Sequence, residues 1–400
     1  MLDRLFPLRH IKNIALFYLL TLVYNSWIIA GVWIFIWGAF MTKFQIGISD
    51  SITFAIGFLI ELPSGVWADF IGRKKAIIIG NLLLTVGNLF VALSSSFLGI
   101  TVWYLVWTIG YAFQSGATEA HAYDTLKKQG LSHHWDRVIS TSVVIGKIAI
   151  LVSTALGGYL FLLGFRLPYL ALTLVSAIGL ITALNLEHIP VKKPKNLWSI
   201  KNYLKQIKEG VGTLVKKHIL PISITCLTTT GLAYMYNWGI LRPLTAERFG
   251  YTPTTFSLLI SFTSLVVIVF VWLLGKFQKK FHIEKIIFGT TFLYALFFTI
   301  MGFPHNIILG GLIMISLSIG LTFTEILFSQ FINRHTPEKH RATTLSSVAL
   351  FTKLPYVFLA LVIGAIAEVD KLPHYTIAVG LIALALWALS LTKQMSHKNI

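Results

Sequence analysis

Five charged residues lie where charge is costly. Glu61, Glu119, Lys147, Glu325 and Lys353 each fall inside, or at the end of, a long apolar run. A charge at the centre of a bilayer costs about 2.5–3.5 kcal/mol on insertion scales, so such a residue faces protein or a water-filled cavity and marks function. A carboxyl withdrawn from bulk water can hold and release a proton near neutrality, which is what proton coupling needs. Glu61, close to Pro63, whose ring can free a backbone carbonyl, is the first choice for a proton carrier. Lys147 and Lys353 have two readings. Either they hold an anionic substrate or a substrate carboxylate, or they pair with Glu61 and Glu325 in neutral bridges that exchange between states.

Polar residues recur at helical steps around these charges. One run carries Ser318, Thr322, Glu325 and Ser329; another carries Trp107, Tyr111, Gln114 and Thr118 at the same spacing. A third presents Ser140, Lys147 and Thr154, and two more present Tyr18, Thr21 and Asn25, and Thr225, Thr229 and Tyr236. Packing between helices is explanation enough for the hydroxyls. Asn25, Tyr111, Gln114 and Tyr236 join the charged residues as substrate or proton candidates. No phosphate-binding loop, GxSxG or HExxH occurs in the sequence, which removes support for an ATP-driven pump or a membrane hydrolase. His121, His133 and His134, near Glu119 and Asp124, read as solvated loop histidines. His133 and His134 are adjacent and cannot share a helical face, so no metal site is expected.

Only membrane-crossing elements can position such residues. Of 400 residues 56% are apolar and 12% charged, about half the charged share of a soluble domain. The formal charge of +18 suggests nucleic acid until its placement is considered. Lys and Arg sit in short stretches between apolar runs, as bilayer orientation demands. Runs long enough to span fall near 13–38, 50–69, 75–95, 98–119, 137–163, 167–186, 218–241, 255–276, 284–303, 306–332, 343–367 and 372–392. The first is too long for a cleaved leader and reads as an uncleaved helix. With a cytoplasmic N-terminus, 26 of the 33 basic residues fall in inside segments and five outside (Lys43, Arg166, Arg242, Arg248, Lys371), so both termini are expected in the cytoplasm. The lysine-rich segment 187–217 separates two six-helix domains, 1–186 and 218–400. Trp198–Lys217 reads as an amphipathic helix on anionic headgroups. The lone Cys226 allows no internal disulfide.

The two halves repeat one another. Gly110, Glu119, Arg137, Ser142, Lys147 and Gly157-Gly158 recur as Gly320, Glu325, Arg341, Ser346, Lys353 and Gly364 in similar order and spacing. Gly65-Val-Trp-Ala-Asp69-Phe-Ile-Gly72-Arg73-Lys74 resembles the signature loop of the major facilitator superfamily. The longer string from Glu61 to Lys75, with Ser115–Glu119 and Asp124, is similar to a bacterial drug-efflux-like group. The second-half counterpart, Gly275–Lys280, lacks the Asp. Gly65 would permit close helix packing, Asp69 can accept from a helix N-terminus, and Arg73 offers a forked donor. The resemblance implies that Asp69 latches onto the start of the eleventh helix and Arg73 onto an acid such as Asp124, closing the cytoplasmic side. Lys74 is explained by topology alone.

The resemblance further implies an all-α membrane protein of two pseudo-symmetric six-helix bundles, with helices one, four, seven and ten lining a central cavity flanked by five and eleven. The expected function is secondary transport of a small organic solute by alternating access, driven by a proton gradient, without a cofactor, and directed outward. An importer or uniporter of an organic anion, a lipid flippase, and a non-transporting enzyme or sensor are the alternatives. The expected setting is a monomer in the cytoplasmic membrane, with lipid and a small molecule as partners.

Overall fold

The computed structural model describes residues 6–190, 208, 212, 214–216, 219–303, 305–335 and 341–398; residues 61–69, 335, 341–350 and 395–398 are described by backbone alone. The amphipathic segment expected at 198–217 thus lies almost wholly outside the described residues. So do the side chains of Glu61 and Asp69, and the packing of Gly65.

Apolar runs of about 20 residues fold as helices because lipid satisfies no backbone polar group. Among the described residues, ten helices are long and apolar enough to cross a membrane. They match spans two to six and eight to twelve: Lys43–Ile71, Arg73–Leu93, Phe97–Gln114 continued by Ala117–Lys128, Trp135–Leu163, Leu167–Leu184, Pro253–Lys280, Ile283–Ile300, Ile307–His335, Arg341–Glu368 and Leu372–Lys398. Leu98, Leu174 and Ile308, each about 70% exposed, lie on the surface that lipid covers.

Spans one and seven are interrupted, which corrects two of the expected boundaries. The first ends at Tyr24, turns through residues 25–32, and resumes as Trp33–Gly38. The Asn25 and Ser26 side chains fold back onto the Thr21 and Leu22 carbonyls, at 2.8 Å each, and end the helix. The seventh runs Leu220–Asn237, followed by the short helix Leu241–Arg248. Its hydroxyl-rich stretch Thr228–Thr230 keeps it below the apolarity of its neighbours. Span four breaks at Gly116, whose φ of 74° is in the region that favours glycine. Gly275–Lys280 is the last turn and a half of span eight rather than a loop.

The chain divides into two compact units. One comprises Met1–Met41, Ile52–Trp198 and Pro253–Ser264; the other comprises Thr42–Ser51, Ser199–Thr252 and Leu265–Ile400. Spans two and eight are each divided between the units, after Ser51 and after Ser264. Inside the first, Trp37 Nε1 donates to Tyr169 Oη at 3.0 Å and Asn88 Nδ2 to Ser176 Oγ at 3.0 Å, tying span six to spans one and three. Inside the second, Thr229 donates to Thr291 at 2.7 Å between spans seven and nine. Such polar contacts hold helices together where lipid removes the hydrophobic drive for association.

Candidate functional site

In the first unit, spans one, four and five line a partly open cavity of about 280 Å³. Two of its walls exist because helices stop. The break at Asn25 places Thr21, Tyr24 and Asn25 on one side, and the break at Gly116 places Gln114, Thr118 and Glu119 opposite; Ser142, Gly146 and Lys147 of span five form the third. In the broken segment of span one the Trp27 carbonyl accepts the Ala30 N–H at 3.0 Å and also the Thr154 hydroxyl of span five at 3.3 Å.

The cavity contains complementary but unsatisfied chemistry. Among the described residues, neither Lys147 nor Glu119 makes an ion pair, although both reach the surface. The Gln114 carboxamide is only 1% exposed, and neither its oxygen nor its nitrogen has a hydrogen-bond partner among those residues. An orphaned buried amide costs about 1–3 kcal/mol until a partner reaches it. Aromatic rings line up along span four. Tyr104 stacks on Trp107 at 5.3 Å, Trp107 on Tyr111 at 5.3 Å, and Tyr111 on Tyr24, a cavity residue, at 4.7 Å. Trp27 meets Trp107 and Tyr111 edge-on. A planar solute can extend that stack.

Five of the candidates chosen from sequence thus gather in the first unit: Asn25, Gln114, Glu119 and Lys147 in the cavity wall, and Tyr111 behind Tyr24. Glu119 is not at the end of span four, as expected, but in the first turn of the helix after its break. The other candidates belong to the second unit. Glu325 is exposed on span ten, Lys353 is half-buried on span eleven, and Tyr236 is fully buried on span seven.

The signature loop contracts to a joint. Span two ends at Ile71, Gly72 takes φ 97°, and Arg73 opens span three with Lys74 in its first turn. Arg73 Nη1 donates to the Asp124 carboxylate and to the Ala120 carbonyl, the latter at 2.7 Å, so the structure brings these two candidates together inside one unit. His121 corrects the expectation of a solvated loop residue. It lies in the helix Ala117–Lys128, 3% exposed, its Nε2 3.0 Å from the Glu187 carbonyl. Asn13 accepts the Glu187 N–H at 2.8 Å and donates to Thr125, joining spans one and four to the end of span six.

The Major Facilitator Superfamily model matches residues 15–360, most of the chain. The protein belongs to this superfamily. Its relatives include Multidrug resistance protein 2 of Bacillus subtilis (strain 168), 26% identical over 245 residues. That match covers 58% of either chain, so less than two thirds of the relative's length is spanned. Multidrug resistance protein 1 of the same organism is 22% identical over 346 residues, covering 84% of this chain and 85% of its own. Among solved structures, the nucleoside transporter NupG matches with a TM-score of 0.76 at 17% identity, covering 96% of this chain and 98% of its own. A peptide transporter of the POT type matches at 0.72 and 14%, covering 96% and 93%. At such identities these likenesses establish the shared fold, and with the family they make the chain a multi-pass membrane transporter rather than an enzyme.

Asp50 was missed by the sequence reading, which began span two at that residue. The helix starts at Lys43, and the signal was present. Thr42 and Gln45 exchange side-chain-to-backbone hydrogen bonds at 3.0 and 3.2 Å, the reciprocal capping box written as Thr-x-x-Gln. The extra two turns carry Asp50 into the interior, 3% exposed. Arg242, counted as an external loop charge, sits in the helix Leu241–Arg248 close to Tyr236 and Tyr294.

Proposed function

We propose that this superfamily member is a proton-coupled exporter of a small organic solute, working by alternating access in the cytoplasmic membrane. The carrying observation is the cavity of the first unit, where among the described residues Lys147 and Glu119 make no ion pair and the buried Gln114 carboxamide has no hydrogen-bond partner, and where the Tyr24–Tyr111 stack adjoins. Its volume is near the lower end of ligand sites, which run about 300–1,000 Å³. The preferred solute has a planar ring and a carboxylate or other anionic group for Lys147. Export is supported by the names of the Bacillus relatives, and the inward placement of 26 basic residues supports cytoplasmic termini. In this reading Lys353 and Glu325 are the second unit's contribution to the path. Arg73–Asp124, with Asp69, serves the cytoplasmic gate, and Glu61 remains a candidate proton carrier.

The test begins with a thermal-shift screen of the purified protein against metabolites and drugs, because a ligand confined to the folded state raises its stability. With a hit in hand, transport in proteoliposomes under an imposed proton gradient is compared for the parent and for Lys147→Met and Glu119→Gln. Loss of affinity in the variants with retained folding supports the site. Parent transport indifferent to the proton gradient ends the coupled reading, and full affinity in Lys147→Met removes the lysine from the substrate site.

A further inference from the structure

The second unit buries one carboxyl that the reading above does not use. Asp50 lies two turns into span two. Tyr356 of span eleven, itself 1% exposed, donates its phenol O–H to the Asp50 carboxylate, and the same phenol oxygen accepts the Ile240 N–H at 2.8 Å. A protonated Asp50 keeps acceptor capacity for this O–H, so the contact is compatible with either protonation state.

The surroundings are shaped for this contact. Residue 239 is glycine, and a Cβ there would lie 1.9 Å from the Tyr356 hydroxyl oxygen. Spans two and eleven touch backbone to backbone: a Cβ on Gly47 would lie 2.6 Å from the Ala360 carbonyl, and one on Gly364 2.8 Å from that of Lys43. Ser51 Oγ donates to the Val357 carbonyl at 2.6 Å, and the Phe44 N–H donates to Glu368 at 3.1 Å. The first nine residues of span two are thus clasped along span eleven, with Asp50–Tyr356 near the inner end. Next to the clasp, Pro355 lies inside span eleven, where its missing N–H weakens one turn and makes a natural bending point.

Opening the clasp would return the carboxyl to water, and closing it would remove that hydration. Burying a charge costs far more than burying a neutral carboxyl, so the two arrangements prefer different protonation states. We propose that Asp50 is a proton-binding group of the transport cycle, and that it takes up a proton as spans two and eleven clasp. This rests on the proton-coupled reading and names a site for its proton. Among the described residues, Tyr356 is a titratable group in contact with Asp50, with the Tyr234 ring of span seven 6.0 Å behind it. Lys353 lies three residues before Tyr356 on span eleven, and Lys43, Glu247 and Glu368 mark the clasp's far end about two turns away.

The experiment follows the clasp directly. Spin labels replace the exposed Phe44 and Val369 side chains in full-length Cys226→Ala protein in lipid nanodiscs, and the distance distribution is recorded from about pH 5 to 9. The parent should shift toward the short distance as pH falls, its closed-to-open ratio changing about tenfold. Asp50→Asn should stay at the short distance at every pH, and Asp50→Glu should keep a titration with a displaced midpoint. An Asp50→Asn variant that titrates as the parent does, or a parent without pH dependence, overturns the proposal. Substrate-driven proton uptake by the parent in proteoliposomes is scored separately. Its absence would refute proton coupling, while the distance titration alone judges the clasp.

Discussion

Gly157→Ala tests whether the interrupted first span is held in place by span five. A Cβ on Gly157 would lie 1.7 Å from the Ile28 carbonyl oxygen, and real Cβ contacts essentially never fall below 3.0 Å. The turn through residues 25–32 must therefore retreat by about 1.3 Å, the difference between those distances. The obstacle is backbone, not a flexible side-chain end, so no rotamer change relieves it. Overpacking of this kind costs about 1–3 kcal/mol. The same displacement carries Asn25 out of the cavity wall and stretches the 3.3 Å bond from Thr154 to the Trp27 carbonyl. Thermal melting in nanodiscs should fall by several degrees, at roughly 2–4 °C per kcal/mol for a domain of 150–250 residues. Affinity for a screened ligand should fall about tenfold, for a loss near 1.4 kcal/mol. Gly289→Ala is the control, because a Cβ there meets nothing within 4 Å. If Gly157→Ala matches Gly289→Ala in both melting and affinity, span five does not hold the turn and the cavity is not built as described.

Four further outcomes are expected. Arg73→Ala and Asp124→Asn should each destabilise the first unit, and the double variant should fall short of their sum by about 0.5–3 kcal/mol in a melting cycle; strict additivity would deny the coupling. Tyr169→Phe leaves the Trp37 indole N–H without its acceptor and should cost about 1–3 kcal/mol in chemical denaturation. Cysteine labelling in a Cys226→Ala background should reach position 248 and not position 205 from outside intact cells, the reverse pattern refuting the orientation. Lys353→Met should lower the melting temperature if the lysine bridges Glu325, with recovery in Lys353→Met/Glu325→Gln, and should lower ligand affinity without destabilising if it binds substrate.

Hydropathy located the apolar helices within a few residues because a lipid-facing surface must be apolar nearly all round, and that constraint is local. What it could not locate were interruptions. Asn25, Ser26 and Gly116 end helices through side-chain bonds and one positive φ inside stretches that remain apolar on average, so an averaging window passes over them. The start of span two was lost for the converse reason. Its first turns include Lys43, Gln45 and Asp50, which lower the hydropathy of a segment whose polar groups are met by span eleven, far away in sequence. The cavity was half legible: helical steps selected Asn25, Tyr111 and Gln114, and charge within apolar runs selected Glu119 and Lys147, without showing that Tyr24 completes the stack. His121 was misread because a histidine between a glutamate and lysines resembles a loop, and its acceptor, the Glu187 carbonyl, is 66 residues on.

The clasp at Asp50 also constrains how the chain is made. Its acceptor and donor stand 306 residues apart, and at about 5–20 residues per second translation needs roughly 15–60 seconds to travel between them. Throughout that interval the first turns of span two are in or beside the membrane without Tyr356, Val357, Ala360 or Gly364 to receive them. A carboxyl-bearing helix start with an open glycine face is poorly suited to lipid. The nascent protein must therefore keep this segment at the aqueous boundary, or within the insertion machinery, until the eleventh span emerges. Truncation before span eleven should leave span two incompletely inserted, and quality-control proteases that recognise such intermediates would find it there.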